Sequence, residues 1–176
     1  MVIEVKEKGS DAFYKEVVNV VMQYRRILKN HAYKIKDCFK YYRVLLAVCA
    51  VAMVLLILSA VFLGPKTLDI VLIVLALFEI ILCGVYLRSL DRYYKTIKND
   101  PRTSVVTFDE NGVELKKGDD QVLRIGWSNV AVVRSLPESV DILSADQTGM
   151  AIAITKDYRE QILSWLKENQ PQVEVI

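Results

Sequence analysis

Glu79 is the residue whose chemistry most needs an explanation, because it stands near the middle of an otherwise apolar run, Ile70 to Leu87. Ionisable residues inside a membrane are rare and usually serve a contact or a transport step. Ala76, Cys83 and Tyr86 recur with Glu79 at three- and four-residue spacing, so all four share one helix face. Small residues let helices approach closely. We therefore predict that Glu79, Ala76 and Cys83 form an intramembrane contact with another helix or a partner.

Two roles for Glu79 stay open on the sequence. A neutral, hydrogen-bonding carboxyl can hold two helices or two protomers together, or the residue can take part in ion or proton transfer. No basic residue lies at the same depth of the preceding apolar segment, near Leu55. We favour the structural role.

Other residues offer little for catalysis. His31 is the single histidine, and we expect it to be structural, beside the apolar stripe of a helix. The sequence has no Cys/His cluster with metal-ligand spacing and no glycine-rich loop after a strand. We therefore predict no catalytic residue, no cofactor, no metal and no small-molecule substrate, and hence not an enzyme. A net charge of +2 over 176 residues gives no argument for nucleic acid as a partner.

Two apolar segments dominate the middle of the chain. Residues 44–63 carry no charge and no polar stripe, and a helix of this length covers the roughly 30 Å hydrocarbon core of a bilayer. In residues 70–87 an ionised Glu79 raises the free energy of membrane insertion by about 2.5–3.5 kcal/mol. Each of the many Leu, Ile, Val and Phe residues lowers it by about 0.3–0.6 kcal/mol, and together they outweigh the carboxylate. A Gly64-Pro65 breaker lies between the segments. We predict an antiparallel transmembrane hairpin, with the lipid bilayer as a partner.

The distribution of basic residues predicts the orientation of this hairpin. Lysine and arginine are concentrated before the first segment and after the second, whereas the turn carries only Lys66. Because positive residues stay on the cytoplasmic side, we expect an inner (cytoplasmic) membrane protein with both termini in the cytoplasm.

The part before the membrane segments divides into a strand and a helix. Residues 1–9 contain an alternating run, Val2 to Lys6, that is typical of a strand. Residues 10–43 carry apolar side chains at helical spacing behind Ser10, a good N-cap, and predict one long amphipathic helix running into the membrane. Its basic face suits anionic headgroups, and its apolar stripe suits packing on protein or on a second copy. We favour packing.

Residues 103–176 predict a cytoplasmic β domain. Short alternating runs are separated by turn signals, among them Asn111-Gly112, and an amphipathic helix with Tyr158, Ile162 and Leu166 follows, ending at Asn169. We expect an antiparallel meander of six strands, over residues 103–109, 113–117, 121–127, 130–134, 140–144 and 150–155. The fold class is therefore α+β: a transmembrane hairpin, a long amphipathic helix and a β domain with a C-terminal helix.

Six strands and a closing helix outline a pleckstrin-homology-like (PH-like) domain, which normally needs a seventh strand. We predict that the strand in residues 1–9 supplies it by pairing with the C-terminal sheet, because an uncovered edge is a liability. The layout, with VVTFDENGVEL, the Ile125–Ser128 step and Thr155–Tyr158, resembles the YcxB-like family. The resemblance implies a small bacterial membrane protein with a PH-like C-terminal domain, and it brings no catalytic residues.

Two functions compete on this basis. The first is a membrane-anchored cytoplasmic binding or scaffold module that recognises a protein partner or forms a homo-oligomer. Lys116-Lys117 beside Asp119-Asp120 makes a poor headgroup pocket, so we favour protein recognition at an exposed edge strand. The tail, residues 173–176, is either such an edge or frayed. The alternative is an accessory or immunity-type protein whose hairpin acts on a partner channel, transporter or toxin.

Overall fold

The computed structural model describes residues 1–5, 9–64, 66–100, 104–118, 121–146 and 150–176. The chain is α+β, with antiparallel sheets and two long apolar helices. The helices are α1 (Asp11–Lys29), α2 (Cys38–Leu63), α3 (Thr67–Lys98) and α4 (Arg159–Asn169). The strands are β1 (Val2–Val5), β2 (Ser104–Phe108), β3 (Gly112–Lys117), β4 (Gln121–Gly126), β5 (Val130–Ser135), β6 (Ser139–Ser144) and β7 (Ala151–Thr155). The Asp119-Asp120 turn lies outside the described residues.

The chain folds into two compact units. The β unit comprises Met1–Ile35 and Thr96–Ile176, and the helical hairpin comprises Lys36–Lys95. The β unit is therefore assembled from segments on both sides of the hairpin in the sequence.

One sheet of the β unit joins these two segments. Its strand order is β1-β2-β3-β4, and β1 pairs antiparallel with β2, with Val2 opposite Thr107 and Val5 opposite Ser104. The amino group of Met1 donates to the Phe108 carbonyl at 2.7 Å. The N-terminal strand thus completes a sheet whose other strands all follow the hairpin in the chain.

The remaining strands form a second sheet, so the prediction of one six-stranded meander is wrong. This sheet has the order β5-β6-β7. A 3₁₀ turn at Trp127–Asn129 separates β4 from β5, and these two strands belong to different sheets. The tail is not frayed, because Val175 forms a parallel bridge to Val133, and Val133 N–H donates to the Glu174 carbonyl at 2.8 Å.

Two apolar clusters form the core of the β unit. The larger lies among the two sheets and α4, with Phe108, Ile142 and Ile162 at its centre. The smaller lies between the second sheet and α1 and includes Tyr24 and Leu143. Because β6 carries side chains into both clusters, all six of its residues are buried. The apolar stripe of α1 thus packs against protein, which is the alternative that the sequence analysis favoured.

The prediction of a single helix over residues 10–43 is wrong. The Ser10 hydroxyl accepts from Phe13 N–H at 3.1 Å and starts α1 as predicted, but α1 ends at Lys29. Asn30 Oδ1 accepts from Ala32 N–H at 3.1 Å, and Asp37 Oδ1 accepts from Lys40 N–H at 3.0 Å to start α2. These side chains compete with helical backbone hydrogen bonds, so residues 30–37 form a link between two separate helices.

The helical hairpin is antiparallel. Tyr42 of α2 stacks on Tyr86 of α3 with ring centroids 5.2 Å apart, and Phe39 meets Tyr94 edge to face at 6.2 Å. Residue numbers thus rise along one helix as they fall along the other. Within the described ranges, α2 and α3 are the helices long and apolar enough to cross a membrane. Both extend beyond the predicted spans, 44–63 and 70–87, at the end that carries these aromatic pairs.

The buried side chain of β1 provides a test of the pairing across the hairpin. Ile3 is 2% exposed, whereas its neighbour Val2 is 65% exposed. Ile3→Ala is expected to lower the free energy of unfolding by about 2–5 kcal/mol, because it leaves a cavity in the core. Val2→Ala is the matched control and should change it by less than about 0.5 kcal/mol. Melting in detergent, followed by Trp127 and Trp165 fluorescence, measures both, and equal effects would contradict the pairing.

Candidate functional site

The structure does not bring Glu79, Ala76 and Cys83 to one contact within the chain. Cys83 is 1% exposed and Ala76 is half-buried, whereas Glu79 is exposed on the outer surface of α3. The inward positions of α3 follow a repeating four- and three-residue spacing, at Ile73, Ala76, Ile80, Cys83, Leu87 and Leu90. Glu79 is adjacent to the inward position Ile80 but is itself exposed. The predicted face through residues 76, 79, 83 and 86 therefore combines inward and exposed positions. Contact of Glu79 with a helix of another chain stays a prediction.

His31 is not on a helix, contrary to expectation. It lies two residues after the end of α1, and its Nδ1 is 2.5 Å from the Glu174 carboxylate of the tail. Cys38, Cys49 and Cys83 are free thiols. In the part of the chain that the structure describes, no three His, Cys, Asp or Glu side chains are grouped as metal ligands are.

A buried polar cluster joins α1 to the second sheet, and sequence reasoning missed it. Asp141 of β6 is completely buried. The Ser139 hydroxyl lies 2.9 Å from Asp141 Oδ2 and 2.8 Å from Glu16 Oε1 of α1. A hydroxyl has one hydrogen and can donate to only one of these carboxyl groups. The second contact is satisfied when Asp141 is protonated and donates to Ser139, which in turn donates to Glu16.

The electrostatics of the site agree with a protonated Asp141. Burial is the main cause that raises the pKa of this carboxyl to about 7, and the nearby Glu16 charge acts in the same direction, while Arg134 lowers it, as does the Ser139 hydroxyl when it donates to the ionised carboxylate instead of to Glu16. Arg134 lies opposite Asp141 in the β5–β6 register. The guanidinium is directed elsewhere, however, because it donates to the His31 and Tyr33 carbonyls. Among the described residues, Asp141 therefore lacks a close countercharge, and it holds its proton up to a pH of about 7.

The cluster positions the start of the link between the helices. Arg134 is buried and binds the carbonyls of His31 and Tyr33, which a continuing helix would have used for its own hydrogen bonds. Glu16 also accepts from the Glu138 N–H at 3.0 Å. One set of hydrogen bonds thus joins α1 to β6 and the residue before it, and a second set joins β5 to the link. The signal in the sequence was a carboxylate, Asp141, between the apolar residues Val140 and Ile142. Alternation alone predicts a solvent-exposed Asp141, and it is buried because α1 covers that face of the second sheet.

An accessible sheet edge lies at β4. This strand ends the order of the first sheet, and Val122 on it is 57% exposed. At the opposite sheet, the tail covers β5, and every residue of β7 is buried or half-buried. The two lysines of β3 are paired: Lys116 with Glu114 at 3.1 Å and Lys117 with Asp100 at 3.6 Å.

Comparisons of the chain with protein-family models, curated proteins and solved structures give no match. The architecture defines the class of protein: an α+β chain in which two long apolar helices interrupt a β unit with an accessible sheet edge.

The pH dependence of stability tests the protonated Asp141. The pKa of this group is about 7 in the folded chain against an ordinary 3.8, so between these values only the folded chain keeps the proton. Its stabilising contribution is complete at low pH and is lost as the pH rises through 7. The wild-type chain should therefore be more stable at pH 5 than at pH 8, because each pH unit between the two pKa values removes about 1.4 kcal/mol of this contribution.

Asp141→Asn should abolish this part of the slope, as measured by chemical unfolding across that pH range. Glu138→Gln is the control. The Lys156 hydrogen bond lowers the Glu138 pKa below its usual value of 4.5, so its stabilising contribution is lost only as the pH falls below that range. An Asp141→Asn variant with the wild-type slope would rule out the proposed proton.

Proposed function

We propose that this chain is a membrane-anchored cytoplasmic binding or scaffold module with a PH-like β unit. The observation that carries the proposal is the outer surface of α2 and α3, where large apolar side chains are exposed along the whole hairpin, up to 79% at Phe62. Soluble monomers rarely expose continuous apolar patches of more than a few hundred Å². A bilayer accommodates such a surface, and helices satisfy their own backbone hydrogen bonds within it.

The composition of the β unit supports one side for both termini. β1 and α1 precede the hairpin in the chain, whereas β2 to β7 and α4 follow it. Since β1 pairs with β2, both segments have to lie in the same compartment. A hairpin with two crossings returns the chain to that compartment, and the concentration of Lys and Arg around it favours the cytoplasm and the inner membrane.

The PH-like assignment is supported by the sheet arrangement. A four-stranded and a three-stranded antiparallel sheet enclose one apolar cluster together with the C-terminal helix α4. On the same layout we keep membership of the YcxB-like family as part of this proposal. The helix α1, packed on the outer face of the second sheet, is an addition to that outline.

We propose a protein as the partner of the β unit. Within the described residues, the outer edge of β4 pairs with no other strand, so it offers backbone N–H and C=O groups to an extended peptide, and Val122 adds an exposed apolar side chain. The paired Lys116 and Lys117 leave no free cationic pair on β3 for a headgroup.

A second candidate function rests on Glu79. Its exposed carboxyl lies on the apolar outer surface of α3, where an ionised group in lipid costs about 2.5–3.5 kcal/mol. A partner helix that hydrogen-bonds to it would remove this cost. The partner is either a second copy or another membrane protein, and the latter corresponds to an accessory or immunity-type role at a channel, transporter or toxin.

Membrane insertion and orientation are tested together. We expect the chain to stay in the membrane pellet after carbonate washing, because the apolar hairpin is held by lipid. A fluorescent-protein fusion after Ile176 should be bright and an alkaline phosphatase fusion there inactive, while phosphatase fused at Lys66 should be active. Release by carbonate, or the reverse pattern of reporters, would refute the proposal.

Site-specific photo-crosslinking in cells separates the two functions. A benzophenone side chain at Val122 of β4 should capture a protein, whereas one at Leu75, four residues before Glu79, should do so if the hairpin is the working surface. Met22, which is exposed on α1, is the control position. Capture at Val122 alone supports the binding module, capture at Leu75 alone supports the alternative, and the same products at all three positions would contradict both.

A further inference from the structure

A cavity of about 400 Å³ lies in the β unit beside the C-terminal half of α1. Residues of α1, of the link that follows it, of β5 and of the segment after β6 line this cavity: Arg25, Leu28, Lys29, His31, Ala131 and Ala145. The volume is within the range of small-molecule sites, about 300–1,000 Å³. Neither the PH-like outline nor the proposed edge-strand contact uses it.

The walls of the cavity combine cationic and apolar groups. Arg25 and Lys29 are four residues apart and share one face of α1. Within the described residues, neither forms an ion pair, in contrast to the paired lysines of β3. Leu28, Ala131 and Ala145 supply an apolar wall. A ligand that satisfies both parts is an anion attached to a small carbon skeleton whose C–H groups contact this wall.

Two carboxylates lie near the site and are held by neighbouring groups. The Glu174 carboxylate binds His31, and Asp146 Oδ1 accepts from the Ser144 hydroxyl at 2.6 Å. These hydrogen bonds leave both negative charges in place, so the site is cationic only through the excess of Arg25, Lys29 and the buried Arg134 over the two carboxylates. The carboxyl end of a helix carries partial negative charge, but here the Asn30 N–H already binds the Arg26 and Ile27 carbonyls at 3.1 Å.

We propose that this cavity binds a phosphate ester, with Arg25 and Lys29 holding the phosphate and the apolar wall holding the attached group. Guanidinium and ammonium groups are the usual phosphate ligands of proteins, and arginine binds two phosphate oxygens at once. Either an anionic phospholipid headgroup or a free glycerol phosphate supplies this chemistry. The lipid source rests on the proposed insertion of α2. His31 precedes Cys38 by seven residues, and this length of chain reaches at most about 25 Å.

The experiment uses the full chain, purified in a neutral detergent and stripped of lipid. Phosphatidylglycerol, phosphatidylcholine and sn-glycerol 3-phosphate are titrated separately, and bound ligand is counted by native mass spectrometry. We expect phosphatidylglycerol to bind in preference to phosphatidylcholine. Arg25→Gln combined with Lys29→Gln should weaken this binding by about ten- to a hundredfold, since two charge-assisted hydrogen bonds are lost.

Two further variants keep the test specific. Lys15→Gln combined with Lys34→Gln removes the same charge from exposed positions outside the cavity, and it should leave binding within about twofold of the wild type if the site is local. Ala145→Leu fills the cavity from an exposed position without changing charge, and it should weaken binding as well. Fluorescence melting curves check that each variant is folded.

The outcomes decide both the site and the source of phosphate. Equal weakening by the two double variants, normal binding by Ala145→Leu, or no phosphate ligand bound to the wild-type chain would each overturn the proposal. Glycerol phosphate binding as tightly as phosphatidylglycerol assigns a free phosphate ester, whereas binding of the lipid alone assigns the headgroup. The glycerol phosphate titration does not depend on membrane insertion. It therefore tests phosphate binding by the cavity even if the proposed insertion of α2 and α3 is wrong.

Discussion

The pairing of β1 with β2 is the constraint on which the rest of the structure depends. These strands are separated in the chain by α1, α2 and α3, yet Ile3 is buried in the same cluster as Phe108 and Ile142. The β unit is therefore complete only when the chain has passed through both long helices and returned. Such a long loop closure is costly in entropy, and an antiparallel hairpin that brings its own ends together lowers that cost. The proposed bilayer would stabilise the hairpin and so assist closure.

A second constraint acts where the chain leaves the β unit for the hairpin. Arg134 binds the His31 and Tyr33 carbonyls, and Asp141, Ser139 and Glu16 connect the same strands to α1. Buried polar groups are costly when unpaired, so this arrangement favours one geometry of α1 and the link. It also ends the helix at Lys29, although the apolar spacing continues beyond that residue. The cluster thus separates an element of the β unit from the first membrane-length helix.

The two proposed contact surfaces of the β unit have different physical origins. The β4 edge ends the strand order of the first sheet, whereas the tail covers the edge of the second sheet at β5, where Val175 bridges to Val133. The cationic cavity arises because α1 packs its apolar stripe on the second sheet and leaves Arg25 and Lys29 beside Ala131 and Ala145. An edge strand suits an extended peptide, whereas a cavity lined by two cations suits a compact anion. The proposed protein partner and the proposed phosphate ligand therefore correspond to separate places of the β unit.

The sequence by itself determined the elements whose signal is local: two long apolar segments, the Ser10 cap, the Asn111-Gly112 hairpin and the closing helix. Each of these elements depends on the composition and periodicity of a short stretch of residues, and both can be read from the sequence itself. Only the tertiary structure decided the features that depend on which face is covered. It divided the strands into two sheets, ended α1 through Arg134, placed Glu79 outside the hairpin seam, and buried Asp141 beneath α1. Arg134 binds the His31 carbonyl, 103 positions away, and Ser139 beside Asp141 binds Glu16, 123 positions away. A local pattern carries no information about such contacts.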